Sequence, residues 1–249
     1  MQRISFEKPP LNELVLGVQF SNPLISNEDI FNLYNTFFKH NFPRIHESPL
    51  LPVTIEKIDR LNEFRIAADG NTRKVFVNND TLIQIQGDRF LLNWRKLDTA
   101  DEYPHFDNVY QLFVRELNNL FSLKEILKTS INQYEITYVD HLLDESFSEH
   151  RFAIKELFNF ISLNDSVKSF VLNFVVPQPL IEGNLSINIK TGIRVQDQKP
   201  LIVLESTCRG YLPGTEMEDW FAKARTILVN FFVNGLTEKM KSTMGPKTR

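Results

Sequence analysis

Short runs of alternating apolar and polar residues, punctuated by tight turns, constrain this chain more than any other feature. In residues 14–20, Leu14, Leu16, Val18 and Phe20 share one parity. Glu13, Val15, Gly17 and Gln19 share the other, which is the pattern of a half-buried strand. Phe64, Ile66 and Ala68 alternate in the same way and lead into a turn at Asp69-Gly70-Asn71. The runs 73–77, 81–86 and 89–94 follow, separated by Asn78-Asn79-Asp80 and Gly87-Asp88. Runs joined so tightly can only be hairpins, hence an antiparallel meander.

Helical spacing interrupts the strands. Ser26 followed by Asp29 reads as a capping box, and Ile30, Phe31, Tyr34, Phe37 and Phe38 then recur at helical intervals until Pro43. Residues 44–59, with prolines at 49 and 52, read as an irregular connection. After Pro104 a long helix is expected, with Phe106, Val109, Tyr110, Phe113, Leu117, Leu120 and Phe121 as its apolar stripe. The order then recurs. Strands are expected around Tyr134, Ile136 and Tyr138, around Phe170, Leu172, Phe174 and Val176, around Leu185, Ile187 and Ile189, and over 201–206. A short helix is expected around Phe152, Leu157, Phe158 and Ile161. A final one runs from about Glu216 to Met240, with Trp220, Phe221, Ala224, Ile227, Leu228, Phe231 and Leu236 inward.

Each half, 1–128 and 129–249, thus reads strand, helix, three or four antiparallel strands, long helix. The expected fold is α+β: two tandem halves forming one compact unit, an antiparallel sheet backed by helices. The element order resembles the duplicated TATA-binding-protein-like and helix-grip arrangements. A Phe-rich composition, 21 Phe against 2 Trp and 6 Tyr, suits a thin layered core of that kind.

Residues out of phase with the apolar ones then form the opposite sheet face. Glu13, Gln84, Gln86, Asn93, Arg95, Asn173, Asn188 and Lys190 are the candidate binding residues on it. Gln19, Glu135, Thr137, Ser186, Glu205 and Thr207 share their phase. Amides and hydroxyls with charges of both signs can hydrogen-bond a partner without relying on net charge, and the face is expected to be bare. The final helix carries more apolar surface than one stripe needs, so it packs centrally or against a second subunit.

The sequence contains no phosphate-cradling, dinucleotide-binding or nucleophile-elbow motif, and the five histidines, His40, His46, His105, His141 and His150, have no metal-ligand spacing. Asp140 and His141 are adjacent in a strand and so point to opposite faces. The single cysteine, Cys208, excludes an intrachain disulfide, and a buried thiol accounts for it. No enzyme activity, cofactor or metal is expected. Arg65, Arg73, Lys74, Arg89, Arg95 and Lys96 cluster loosely, and Lys239, Lys241, Lys247 and Arg249 sit near the end. The formal charge of −3 nevertheless argues against a salt-driven nucleic-acid binder. The start has no apolar signal region, and the apolar clusters are strand-sized, as in residues 170–177; a cytoplasmic protein without membrane contact is expected.

Several local stretches together resemble a sporadically distributed bacterial protein family of uncharacterised function. They are Pro9-Pro10-Leu11-Asn12-Glu13, the GDRFLLNWRK stretch around Trp94, Tyr103-Pro104-His105-Phe106, and the closing ARTILVNFFVNGLTEKM segment. Ala222-Lys223 or Ala224-Arg225 stands where relatives carry an alanine–histidine pair. The resemblance implies a bacterial cytoplasmic accessory of a defence or mobile-element system and supplies no reaction. The expected function is a non-enzymatic module that engages a protein partner, or a second copy, through the polar sheet face or the last helix. A small-ligand-binding helix-grip protein and a weak nucleic-acid binder are the alternatives.

Overall fold

A computed structural model describes residues 4–55, 63–65, 72–97, 102–143, 154–161, 163, 167, 169–194, 197–211 and 213–248. In chain order the elements are β1 (Ile4–Phe6), β2 (Leu11–Phe20), α1 (Asn27–Leu33), β3 (Arg44–Pro49), β4 (Val53–Ile55), β5 (Glu63–Arg65), β6 (Thr72–Asn78), β7 (Thr81–Gln86) and β8 (Arg89–Arg95). Then come α2 (Phe106–Leu123), α3 (Ile126–Thr129), β9 (Ile131–Leu142), α4 (Ile154–Leu157), β10 (Val171–Gln178), β11 (Gly183–Ile193), β12 (Pro200–Gly210), α5 (Met217–Gly235), α6 (Glu238–Thr243) and β13 (Pro246–Thr248). The fold is α+β.

Nine strands form one antiparallel sheet in the order β10-β11-β12-β9-β2-β8-β7-β6-β3. β2 and β9 lie in the middle of the sheet, and the two pair with each other from Leu11↔Asp140 to Phe20↔Ile131. Outward from β2 the order is β8-β7-β6-β3; outward from β9 it is β12-β11-β10. Two further strand pairs stand apart, β1 with β13 and β4 with β5.

One sheet face is covered by helices. In cross-strand register Phe76, Ile83, Leu92, Leu16, Ile136, Cys208 and Leu185 form a continuous apolar row on it. Rings from the helices lock onto this layer. Phe113 of α2 meets Phe90 at 6.1 Å and Phe221 of α5 at 5.5 Å, and Trp220 meets Tyr134 at 5.3 Å. Leu14, Leu16, Phe90, Phe113, Trp220 and Phe221 are buried in one core cluster, so the Phe-rich composition fills the layer between sheet and helices. Each such ring excludes 150–250 Å² from water, roughly 3–5 kcal/mol lost on truncation to Ala.

Local chemistry sets the boundaries. At α1, Asp29 N–H donates to Ser26 Oγ at 3.1 Å and Ser26 N–H donates to Asp29 Oδ2 at 2.8 Å, a complete capping box. The helix widens into one π-type turn over Tyr34–Phe38 before Pro43. Gly183 and Gly210 face each other across β11 and β12, and a Cβ on Gly183 would lie 1.9 Å from Arg209 O, so only glycine allows that approach.

Two expectations differ from the structure. Residues 44–59 are not wholly irregular, because Arg44–Pro49 form edge strand β3 against β6. Its proline sits at the last strand position of a sheet edge, where a missing donor is tolerated. The expected helix over 216–240 is two helices. α5 ends at Gly235, and Thr237 caps α6 by accepting from Met240 N–H at 3.2 Å. Phe152, and the strand residues Ile66 and Ala68, lie outside the described residues. The surplus apolar surface of α5 is covered within the chain: Phe231 packs on Phe160 and Phe174, and Phe232 on Phe6. Among the described residues no helix is long and apolar enough to cross a membrane.

Candidate functional site

The period-two phase carries through to three dimensions. On the face away from the helices, Asn173, Asn188, Glu205, Val139, Glu13 and Arg95 stand in one row across six strands. The next row is Val175, Ser186, Thr207, Thr137, Val15, Asn93 and Leu82. A third runs Asn184, Arg209, Glu135, Gly17, Leu91, Gln84 and Val75. Gln133, Gln19, Arg89 and Gln86 make a fourth. Lys190 lies one row beyond Asn188, between Val171 and Val203.

This face is not uniformly bare, and its two sides differ in kind. Over β7 and β8 the polar groups are committed to each other. Asn93 Nδ2 donates to Glu13 Oε1 at 2.6 Å, and Gln84 Nε2 donates to Asn93 Oδ1 at 2.9 Å. Gln86 Oε1 accepts from Leu51 N–H at 2.9 Å, and its amide donates to Leu51 O at 3.1 Å and to Asp88 Oδ1 at 2.8 Å. Arg89 donates to Gln19 Oε1 and to Pro52 O. Residues 49–52 therefore fold back across the face and clasp it, and Gln19, Gln86, Arg89 and Asn93 are buried. Val75, Val77 and Leu82 form a small separate apolar cluster on the same side. Burial was not legible from alternation because it depends on where that connection lands.

Over β10, β11 and β12 the side chains of Asn173, Ser186, Asn188 and Glu205 make no hydrogen bond to one another among the described residues. Asn173, Ser186, Asn188 and Glu205 surround a depression of about 230 Å³, with Val175 and Thr207 completing its floor. Asn188 Oδ1 is buried without a hydrogen-bond partner. Thr207 shares a hydrogen bond with the Thr137 hydroxyl at 2.8 Å. The depression is bounded by Arg209, whose guanidinium donates to Glu135 Oε2 at 2.7 Å.

Electrostatics follow the same division. Burial drives the Glu135 carboxyl up, but the Arg209 and Arg89 guanidiniums outweigh it and hold the group below its ordinary range. Burial raises Glu13, and the Glu205 carboxylate adds to the effect, against the opposing Asn93 hydrogen bond and Arg95 charge. At the Lys190 corner His141 is held below its ordinary value, by burial first and then by the Arg194 guanidinium. Arg194 itself is paired with Asp197 at 2.5 Å.

The sheet edge beside the depression completes the site. Thr191 N–H donates to Phe170 O at 3.2 Å, and β10 pairs with β11 from Val171↔Lys190 to Gln178↔Gly183. That bond fixes the ladder phase: Leu172, Phe174 and Val176 bond β11, whereas Val171, Asn173 and Val175 turn their N–H and C=O groups outward. Among the described residues no strand pairs with that outer edge. Residues 171–178 carry no charge, and Val171 and Val175 are 67% and 51% exposed. Sequence reasoning did not single out Val171 and Val175. Pro177 was the available signal, since proline within a strand marks an edge.

Other candidates are accounted for structurally. Cys208 is buried against Ala224 O at 3.7 Å, and burial pushes its thiol up to about 12, which leaves no reactive thiolate. His40, His46 and His105 are exposed and scattered, and among the described residues no cluster of His, Cys, Asp or Glu could hold a metal ion. Asp140 and His141 do point to opposite faces, Asp140 lying between Leu11 and Leu204 on the helix side. Of the basic residues, Arg89 is buried, Lys74 pairs with Glu47, Lys239 with Glu156 and Lys241 with Glu238. Arg65, Lys247, His150 and Arg249 have side chains outside the described set. Compared with protein-family models the chain matches none, and no curated protein matches its sequence.

Proposed function

We propose that the chain is a non-enzymatic protein-binding module that takes an extended segment of a partner as an added strand along β10. The outer edge of β10 carries the reading. It offers outward backbone donors and acceptors, has no charged residue to repel a second strand, and presents exposed valines on either side of Asn173. Natural edges are blunted by Lys, by proline or by inward charges; on β10 only Pro177, at the far end, does this, and residues 171–175 remain a template for strand addition. The depression inboard of the edge supplies selectivity through Asn173, Asn188 and Ser186, which line it. Resemblance to the bacterial family described above supports a role as a cytoplasmic accessory of a defence or mobile-element system.

The test is hydrogen exchange and affinity with a blocked heptapeptide, Thr-Val-Thr-Asn-Thr-Glu-Thr, as the added strand. Binding should slow exchange at the outward amides of Val171, Asn173 and Val175, while those of Leu172 and Phe174 are slow already. Val175→Pro removes one outward donor without touching the β11 ladder, so it should abolish binding and keep the melting temperature within a few degrees. Binding that survives Val175→Pro, or no binding at all, refutes edge addition.

A further inference from the structure

We infer that the docked segment carries an acidic side chain at the Lys190 corner, flanking an amide and an apolar residue at alternate positions. The inference rests on the strand-addition reading and specifies its partner. An added strand extends the rows of the open face by one place. The residue beside Val171 enters the row Val171, Lys190, Val203, His141. The residue beside Asn173 enters the row Asn173, Asn188, Glu205. The residue beside Val175 meets an exposed valine.

Charge and reach decide the chemistry at each place. Lys190 makes no ion pair among the described residues, and only Val171 lies between it and the edge. It stands two strand spacings from the added backbone, about 10 Å, which two long side chains can bridge. Glu205 lies on β12, three strand spacings from the added strand and one row away, about 16 Å along the diagonal. Measured straight across, it is three spacings away, about 14 Å, beyond the screening length of about 8–10 Å. An acid at the edge therefore feels Lys190 far more than Glu205. Arg194, beside His141 at the same end, adds positive potential although Asp197 pairs with it. At that place the exposed amide of Asn173 is the neighbour, and an amide on the added strand both gives to it and accepts from it.

An antiparallel partner then reads apolar, amide, acid at every second position from its N-terminal side. The heptapeptide above has this order; versions with Gln or Lys in place of Glu are its controls. The Glu peptide should bind about three- to fivefold more tightly than the Gln peptide at low salt, as a half-exposed ion pair predicts, and the gap should close in about 1 M salt. Lys190→Ala should level the three peptides, and Lys190→Glu should make the Lys peptide the tightest. All three should remain sensitive to Val175→Pro. Equal affinities with that sensitivity retained overturn the acid assignment and leave strand addition standing. Affinities indifferent to Val175→Pro overturn both. Self-association of the chain through β10 that excludes every peptide also overturns the acid assignment.

Discussion

Asp140 occupies a place where a carboxylate has no business being charged, and its titration can be worked through from the structure. It is 5% exposed on the helix side of β9, with Leu11 and Leu204 as its cross-strand neighbours. Burial raises its pKa from 3.8 to about 7. A folded-state value above the unfolded one means that folding favours the protonated form. The penalty is absent below the unfolded value, grows as pH climbs from about 4 to 7, and is constant above. At about 1.4 kcal/mol per pH unit the full gap is about 4 kcal/mol. Asp140→Asn keeps shape and polarity but cannot ionise. Urea unfolding of both proteins between pH 4 and 8.5 should show nearly equal stability at pH 4. The variant should gain steadily through neutrality, to about 4 kcal/mol at pH 8.5. Titration of other carboxylates cancels in the difference. A pH-independent difference, or a variant weaker at pH 8.5, would refute the reasoning.

Three further outcomes test the packing. Phe113→Ala, which empties the ring contacts to Phe90 and Phe221, should cost about 3–5 kcal/mol in denaturant unfolding. Gly183→Ala drives a methyl into the Arg209 carbonyl and should prevent a native near-ultraviolet spectrum, whereas Ala at Gly214, where no atom lies within 4 Å of the new Cβ, should cost only its strained φ. Arg209→Met strips Glu135 of its hydrogen-bonded cation while Arg89 stays beside it, and should cost about 2 kcal/mol at pH 7, the range of a hydrogen bond to a charged group. Because the folded pKa of Glu135 is lowered, that loss should shrink as pH falls through the acid range, measured by unfolding at pH 7 and pH 3.

Much of the architecture is written in local pattern. Gln84, Asn93, Asn173 and Asn188 share a face because side chains alternate along any strand, whatever its neighbours. Ser26 and Asp29 announce α1 because capping is a contact within one turn. The α5–α6 break lies where Gly235 and Thr237 stand, residues that end and begin helices. Other features depend on distant chain. Nothing near Gln86 reports that residues 49–52 fold onto it, and nothing in β2 reports that its partner is β9. The same alternation therefore describes a wired side and an open side without telling them apart. The distinction that matters for binding, used against unused hydrogen-bonding capacity, exists only after the sheet is assembled.

The central β2–β9 ladder has a consequence for synthesis. When residue 95 has left the ribosome, β2 is able to zip to β8, but its second edge has to wait for Ile131–Leu142. At roughly 5–20 residues per second the ten-residue Leu11–Phe20 edge faces the cytosol or a chaperone for several seconds. The nascent first half is thus the stage most exposed to misassociation, and slowing translation between residues 95 and 131 should lower the soluble yield more than slowing it afterwards.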